Sequence, residues 1–169
     1  MRSQARRLSL AAMMIALSFA LGFLESLVPF SAGVPGVKLG LANIPVMVTL
    51  YMFGPLYAAP VMLVRILLSA STFGSALSFV FSLTGGIVSF TVMCILKKTG
   101  FSITGVSIGG GVTHNIGQLL AASVLTGTSG LIYYLPVLLI SGLVAGAING
   151  MLTNVIISRI NNKTKRTDL

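Results

Sequence analysis

Only two of the 169 side chains are acids, Glu25 and Asp168, whereas eleven are basic, and nine of those eleven fall in three short clusters separated by apolar stretches. A chain built this way has too little polar surface to wrap a core in water, so its apolar runs must face lipid or one another. With 55% hydrophobic residues against 8% charged, no separate soluble domain fits beside them. A hydrocarbon core about 30 Å thick takes roughly 20 helical residues to cross, and several runs approach that length without a charge. The expectation is a single all-α integral membrane domain over residues 1–169.

A pI near 10.5 in a soluble protein would point to nucleic acid. Here the basic clusters flank apolar runs, so membrane topology accounts for them and no nucleic-acid partner is expected. Cys94 is the single cysteine and forms neither an internal disulfide nor a multi-thiolate metal site. The opening basic region and apolar stretch have the layout of a secretory signal. The spans that follow, and the packing-face spacing of Ala12, Ala16 and Ala20, favour a retained first helix, with Arg6 and Arg7 as a topology anchor.

The apolar runs divide into six predicted helices, roughly 8–24, 39–54, 55–72, 76–96, 103–126 and 131–158. With six crossings, Arg2, Arg6 and Arg7, then Lys97 and Lys98, then Arg159, Lys163, Lys165 and Arg166 all fall on one side, and the positive-inside rule makes both termini cytoplasmic. An odd number of crossings would put the basic tail opposite the other clusters. The long external connection, 25–38, carries Gly33, Pro29, Pro35 and Gly36, which argue against a continuous helix. It reads either as a lid over a cavity or as a linker in the headgroup region.

Lys38 and Arg65 stand apart from the topological clusters. Arg65 lies well inside the third span, where a lipid-facing charge costs about 2.5–3.5 kcal/mol on insertion scales, so it should face the interior. Ser69 and Thr72 follow at helical spacing and extend a polar stripe outward. A salt bridge is the competing role for Arg65, and Glu25 is the sole acid near that depth. On the fifth span His114 and Gln118 share a face, with Gly111 a turn away; Asn115, about 100 degrees round, reads better as an interhelical hydrogen-bond donor.

Lys38 and Asn43 occur at the outer end of the second span, where a lysine runs against the positive-inside bias. Lys38 either snorkels to the interface or turns inward. Turned inward, it would join Arg65 and His114 in a basic pocket suited to a carboxylate, phosphate or diphosphate. The candidate binding residues are thus Lys38, Asn43, Arg65, Ser69, His114 and Gln118. Two small-residue ladders complete the pattern: Gly142, Gly146 and Gly150 read as packing within the bundle, while Ala12, Ala16 and Ala20 fit either packing or an outward docking face.

The sequence holds no G-x-x-x-x-G-K-[ST] loop, so ATP is not expected to bind in that mode and a powered transporter would need a partner. Two acids cannot supply the paired aspartate clusters that hold Mg²⁺ on a diphosphate. No catalytic set, metal-ligand cluster or cofactor site is expected.

The segments GVKLGLANIPV (36–46), LVRILLSASTFGSALSFVFSLTGGIVS (63–89) and SIGGGVTHNIGQLLAA (107–122) resemble the Gx transporter family, also labelled heptaprenyl diphosphate synthase component I. More loosely, the chain resembles the S components of energy-coupling factor (ECF) transporters. That resemblance implies a six-helix bundle with a substrate site near its outer face, closed by the loop after the first helix. It further implies delivery by toppling against a transmembrane coupling subunit driven by two ATPases, with the A-x-x-x-A docking motif falling on Ala12 and Ala16 and extended by Ala20. The resulting expectation is a non-enzymatic substrate-binding subunit of an uptake transporter, multi-pass in the cytoplasmic membrane, that captures a small anionic molecule. Two alternatives are a non-catalytic accessory subunit of a heptaprenyl diphosphate synthase in isoprenoid or quinone metabolism and a self-sufficient carrier. The carrier is disfavoured because ion coupling usually uses intramembrane acids.

Overall fold

Breakers and caps written into the sequence set the helix limits. A computed structural model describes residues 2–27 and 39–167, and these residues form helices and connecting turns without a strand. The helices are α1 (Arg2–Leu27), α2 (Ile44–Phe53), α3 (Pro55–Phe73), α4 (Ala76–Lys98), α5 (Ile103–Thr126) and α6 (Leu135–Thr167). Short 3₁₀ segments, Leu41–Asn43 and Ser129–Tyr134, precede α2 and α6. Pro55 opens α3 directly after Gly54, whose φ of 85° suits a residue without a Cβ. Ser75 and Ser78 form a reciprocal capping box at the start of α4. At its end Phe101 N–H donates to the Leu96 carbonyl (3.2 Å) and Gly100 N–H to that of Lys97 (3.3 Å), with Gly100 at φ 84° closing a Schellman turn.

Two helices depart from their expected limits for physical reasons. The second span begins with Gly40 in the left-handed region (φ 74°) and a 3₁₀ turn, because Pro45 lacks the N–H that a longer helix would need. At 10 residues α2 is only about 15 Å long. The first helix extends to Leu27, so Glu25 sits in its last turn instead of opening the external connection. Residues 28–38, Lys38 among them, lie outside the described residues.

Four helical stretches are long and apolar enough to cross a bilayer: Gln4–Leu27, Pro55–Phe73, Ala76–Lys98 and Gly130–Asn162. The chain is accordingly a multi-pass membrane protein. Helix α5 has 24 residues, but Gly109, Gly110, Gly111, His114, Asn115 and Gln118 dilute its hydropathy, and it packs mainly between α4 and α6. Helix α2 is apolar all round and Ile44 through Leu50 are buried, the signature of a central helix. Met47 and Leu50 pack with Ala58, Met93 and Val106, and Val46 packs with Ala11, Val61, Met62 and Ile66.

The far end of α2 is closed by a charge. Lys97 Nζ donates to the Leu50 carbonyl (2.5 Å) and lies 4.9 Å from the centre of the Tyr51 ring. An ammonium at a helix C-terminus meets carbonyls left without intrahelical partners and the negative end of the macrodipole. This bond puts the turn at Gly54 at the same end of the bundle as the turn at Gly100.

Lipid is as apolar as leucine, so helices in a bilayer adhere through close packing and hydrogen bonds. The glycine ladder supplies that packing here. A Cβ on Gly146 would lie 2.7 Å from the Ile108 Cα, and one on Gly150 would lie 2.6 Å from the Thr104 Cα. Gly111 and Gly142 are in similar backbone contact with each other, and Gly85 meets Gly117 between α4 and α5. Gly146→Val is therefore expected to destabilise the bundle by about 3 kcal/mol, read as an earlier unfolding midpoint in detergent. Gly130→Ala, whose Cβ meets only the Thr128 methyl at 3.9 Å, should stay within about 0.5 kcal/mol of the parent.

Candidate functional site

Polar residues from α1, α3, α4, α5 and α6 line one cavity of about 690 Å³, at the end opposite Lys97. Gly22, Glu25 and Ser26 of α1 line it, with Gly40, Ala42 and Asn43 below them and Arg65, Ser69 and Phe73 from α3. Ser78 and Ser82 of α4, Ser107, Gly111, His114, Asn115 and Gln118 of α5, and Gly142, Ala145, Gly146 and Asn149 of α6 complete most of the wall.

Residues 39–43 form the organising element. Gly40 turns the chain in the left-handed region, and Asn43 N–H donates to the Gly40 carbonyl (2.8 Å), closing the turn. Three helices then hold it. From α1, Glu25 Oε1 accepts the Gly40 N–H (2.6 Å) and the Ser18 hydroxyl donates to the Ala42 carbonyl. From α3, Arg65 Nη2 donates to Asn43 Oδ1 (3.2 Å). From α6, Asn149 Nδ2 donates to the Leu39 carbonyl (2.8 Å). A non-helical bend leaves backbone groups without ladder partners, and in apolar surroundings each orphan would cost several kcal/mol. Ser18, Glu25 and Asn149 remove that cost at Ala42, Gly40 and Leu39, and Arg65 anchors the Asn43 side chain.

Arg65 is inside the bundle with its guanidinium against Asn43, while its Nε is buried without a hydrogen-bond partner. The Glu25 carboxylate attracts it electrostatically, yet the hydrogen bonds of the two groups go to the turn. Close backbone approach sets the α5 residues: a Cβ on Gly85 would fall 2.7 Å from the His114 carbonyl and 2.8 Å from Gln118 Cγ. Asn115 Nδ2 donates to the Leu138 carbonyl (2.7 Å), an α5–α6 bond of the kind read for it from the sequence.

Of the six candidate binding residues, Asn43, Arg65, Ser69, His114 and Gln118 line the same cavity, and Lys38 lies outside the described residues. Thr72 does not continue the stripe. It is exposed and its hydroxyl turns back to the Leu68 carbonyl (2.7 Å), while Phe73, four residues beyond Ser69, takes the cavity position. On α1 the alanine ladder is exposed at Ala12, Ala16 and Ala20, whereas Ala11 and Ser18 face the bundle.

Asn149, Ser78 and Ser82 line the cavity without having been singled out from the sequence. Their signal was spacing: 142, 145, 146 and 149 share one face of α6, and 78 and 82 one face of α4. The glycines had been read as a packing ladder alone, which hid the asparagine among them.

Chemically, among the described residues the wall offers one guanidinium, one carboxylate, the His114 imidazole, the carboxamides of Asn43, Asn115, Asn149 and Gln118, and several hydroxyls. It is equipped to hold a polar molecule by hydrogen bonds. The family model described as heptaprenyl diphosphate synthase component I matches residues 14–156. Among solved structures, the S component of a bacterial ECF transporter matches with a TM-score of 0.72 at 20% sequence identity, covering 96% of this chain and 99% of that one. No curated protein matches the chain.

Proposed function

The chain belongs to the heptaprenyl diphosphate synthase component I family, also called the Gx transporter family, and from that premise we propose that it is the substrate-binding membrane subunit of an ECF-type uptake transporter. It captures a small molecule carrying an anionic group at the outer face of the cytoplasmic membrane and depends on a transmembrane coupling subunit and two ATPases. The observation that carries the reading is the polar cavity with Arg65 in its wall, inside a bundle shaped like an S component. Polar groups are costly at such depth, and their convergence on one cavity favours a ligand.

In this reading the chain crosses six times, the second crossing made by the short α2 together with the bend before it, and both termini are cytoplasmic. The Lys97 bond to α2 supports it, because it brings the turn after α2 and the turn after α4 to one end, as six alternating crossings require. The cavity then opens outward, with Asn43, Arg65, Ser69, His114, Gln118 and Lys38 as its binding residues. Ala12, Ala16 and Ala20 form the docking face for the coupling subunit, a role that their exposure on α1 favours. The family description favours a second reading, a non-catalytic accessory subunit of a prenyl diphosphate synthase.

Reporter fusions at the two termini should both report the cytoplasmic side; an external signal from either would overturn the six-crossing arrangement. Arg65→Ala should abolish binding of the small molecule retained by the natively purified protein, measured by native mass spectrometry, while thermal unfolding shows a bundle that is destabilised but still folded, since the bonds from Ser18, Glu25 and Asn149 to the turn backbone remain. Unchanged retention would remove Arg65 from the site. Purified from its native membrane, the parent should carry ATPases and a coupling protein, and Ala16→Trp should lose them while keeping its ligand. Recovery of a soluble Asp-rich synthase instead would favour the accessory reading.

A further inference from the structure

The cavity wall carries two ionised side chains of opposite sign among the described residues, and each hydrogen-bonds to the turn instead of to the other. Glu25 accepts the Gly40 N–H at 2.6 Å and Arg65 donates to Asn43 at 3.2 Å. Gly40 and Asn43 are the two ends of one hydrogen-bonded turn. At the 3₁₀ rise of about 2 Å per residue, those ends stand roughly 6 Å apart.

Among the described residues neither charge is saturated. An ionised carboxylate has about four acceptor positions, and among those residues this one accepts only the Gly40 N–H. Arg65 has five N–H donors, of which the turn takes one. Among the described residues the cavity wall is therefore polarised, with the Glu25 carboxylate at the Gly40 end and a cationic donor at the Asn43 end.

Resting on the binding-site reading above, we propose that the ligand is a compact amphoteric molecule, its acid group held by Arg65 and a protonated amine or comparable N–H donor held by Glu25. A ligand with both groups supplies a donor to the Glu25 carboxylate and an acceptor to Arg65. A purely anionic ligand such as a prenyl diphosphate brings its charge beside Glu25 as well, where like charges repel.

Matched probes test this on the full-length protein in detergent: ω-amino acids of three to seven carbons, the corresponding simple carboxylic acids and alkylamines, and isopentenyl diphosphate, each followed by thermal shift and calorimetric titration. At least one ω-amino acid should bind, with its single-ended analogues weaker by about tenfold or more, as expected for loss of one charge-assisted hydrogen bond. Glu25→Gln keeps an oxygen for the Gly40 N–H and should reduce the amino acid to the affinity of the simple acid, which itself binds this variant at least as tightly as the parent because the repulsion from Glu25 is gone.

Equal binding of acid and amino acid to the parent, tighter binding of the amino acid to Glu25→Gln than to the parent, preference for isopentenyl diphosphate, or no response to any ω-amino acid at millimolar concentration would each overturn the proposal. Should Glu25→Gln not fold, the comparison of probes on the parent protein still decides. Co-purification of ATPases does not depend on ligand charge, so the uptake reading fails or stands separately.

Discussion

The bundle depends on how residues 39–43 are tied down. This bend lies where the chain re-enters the interior, and four side-chain hydrogen bonds from Ser18, Glu25, Arg65 and Asn149 hold it. A typical net hydrogen bond contributes about 1 kcal/mol and one to a charged group about twice that, whereas a buried backbone group left unmatched costs more than either. The same bonds join α1, α3 and α6 to the start of α2. Structural integrity and the candidate site thus draw on one set of residues, which is why Glu25→Gln, conserving the acceptor, is more informative there than alanine.

Elsewhere the bundle relies on shape. Helices α4, α5 and α6 approach until backbones touch at Gly85, Gly111, Gly142, Gly146 and Gly150. Lipid offers no hydrophobic incentive for helices to associate, so such contact provides the dispersion that larger side chains would prevent. The two small-residue ladders consequently part company: the glycines face another helix, and Ala12, Ala16 and Ala20 face outward. Identical four-residue spacing describes both, and the neighbours of each face tell them apart.

Much of the fold was legible because its cues are local. Pro55, Ser75 and Gly127 mark helix ends by their own backbone chemistry, and the apolar runs between them have the length of spans. Arg65 was legible as an interior residue because lipid would penalise its charge. The partner of Glu25 was not, since the Gly40 amide belongs to a left-handed bend that only tertiary packing specifies. Lys97 was counted as a topology residue; its bond to Leu50, 47 positions away in the chain, is a long-range contact without sequence periodicity. Thr72 failed to follow Ser69 because the stripe on α3 continues by fours, through Phe73.

The brevity of α2 explains why there is a cavity at all. A bundle whose central member spans about half the hydrocarbon thickness leaves the remaining depth to be lined by its neighbours. The 690 Å³ chamber begins where α2 does, at Gly40, Ala42 and Asn43. Its volume is then a property of the scaffold, set by Pro45 and the bend before it, while the side chains on the surrounding helices decide only which molecule fits. An architecture of this kind can be refitted for a new cargo by changing wall residues one at a time, without rebuilding the vessel.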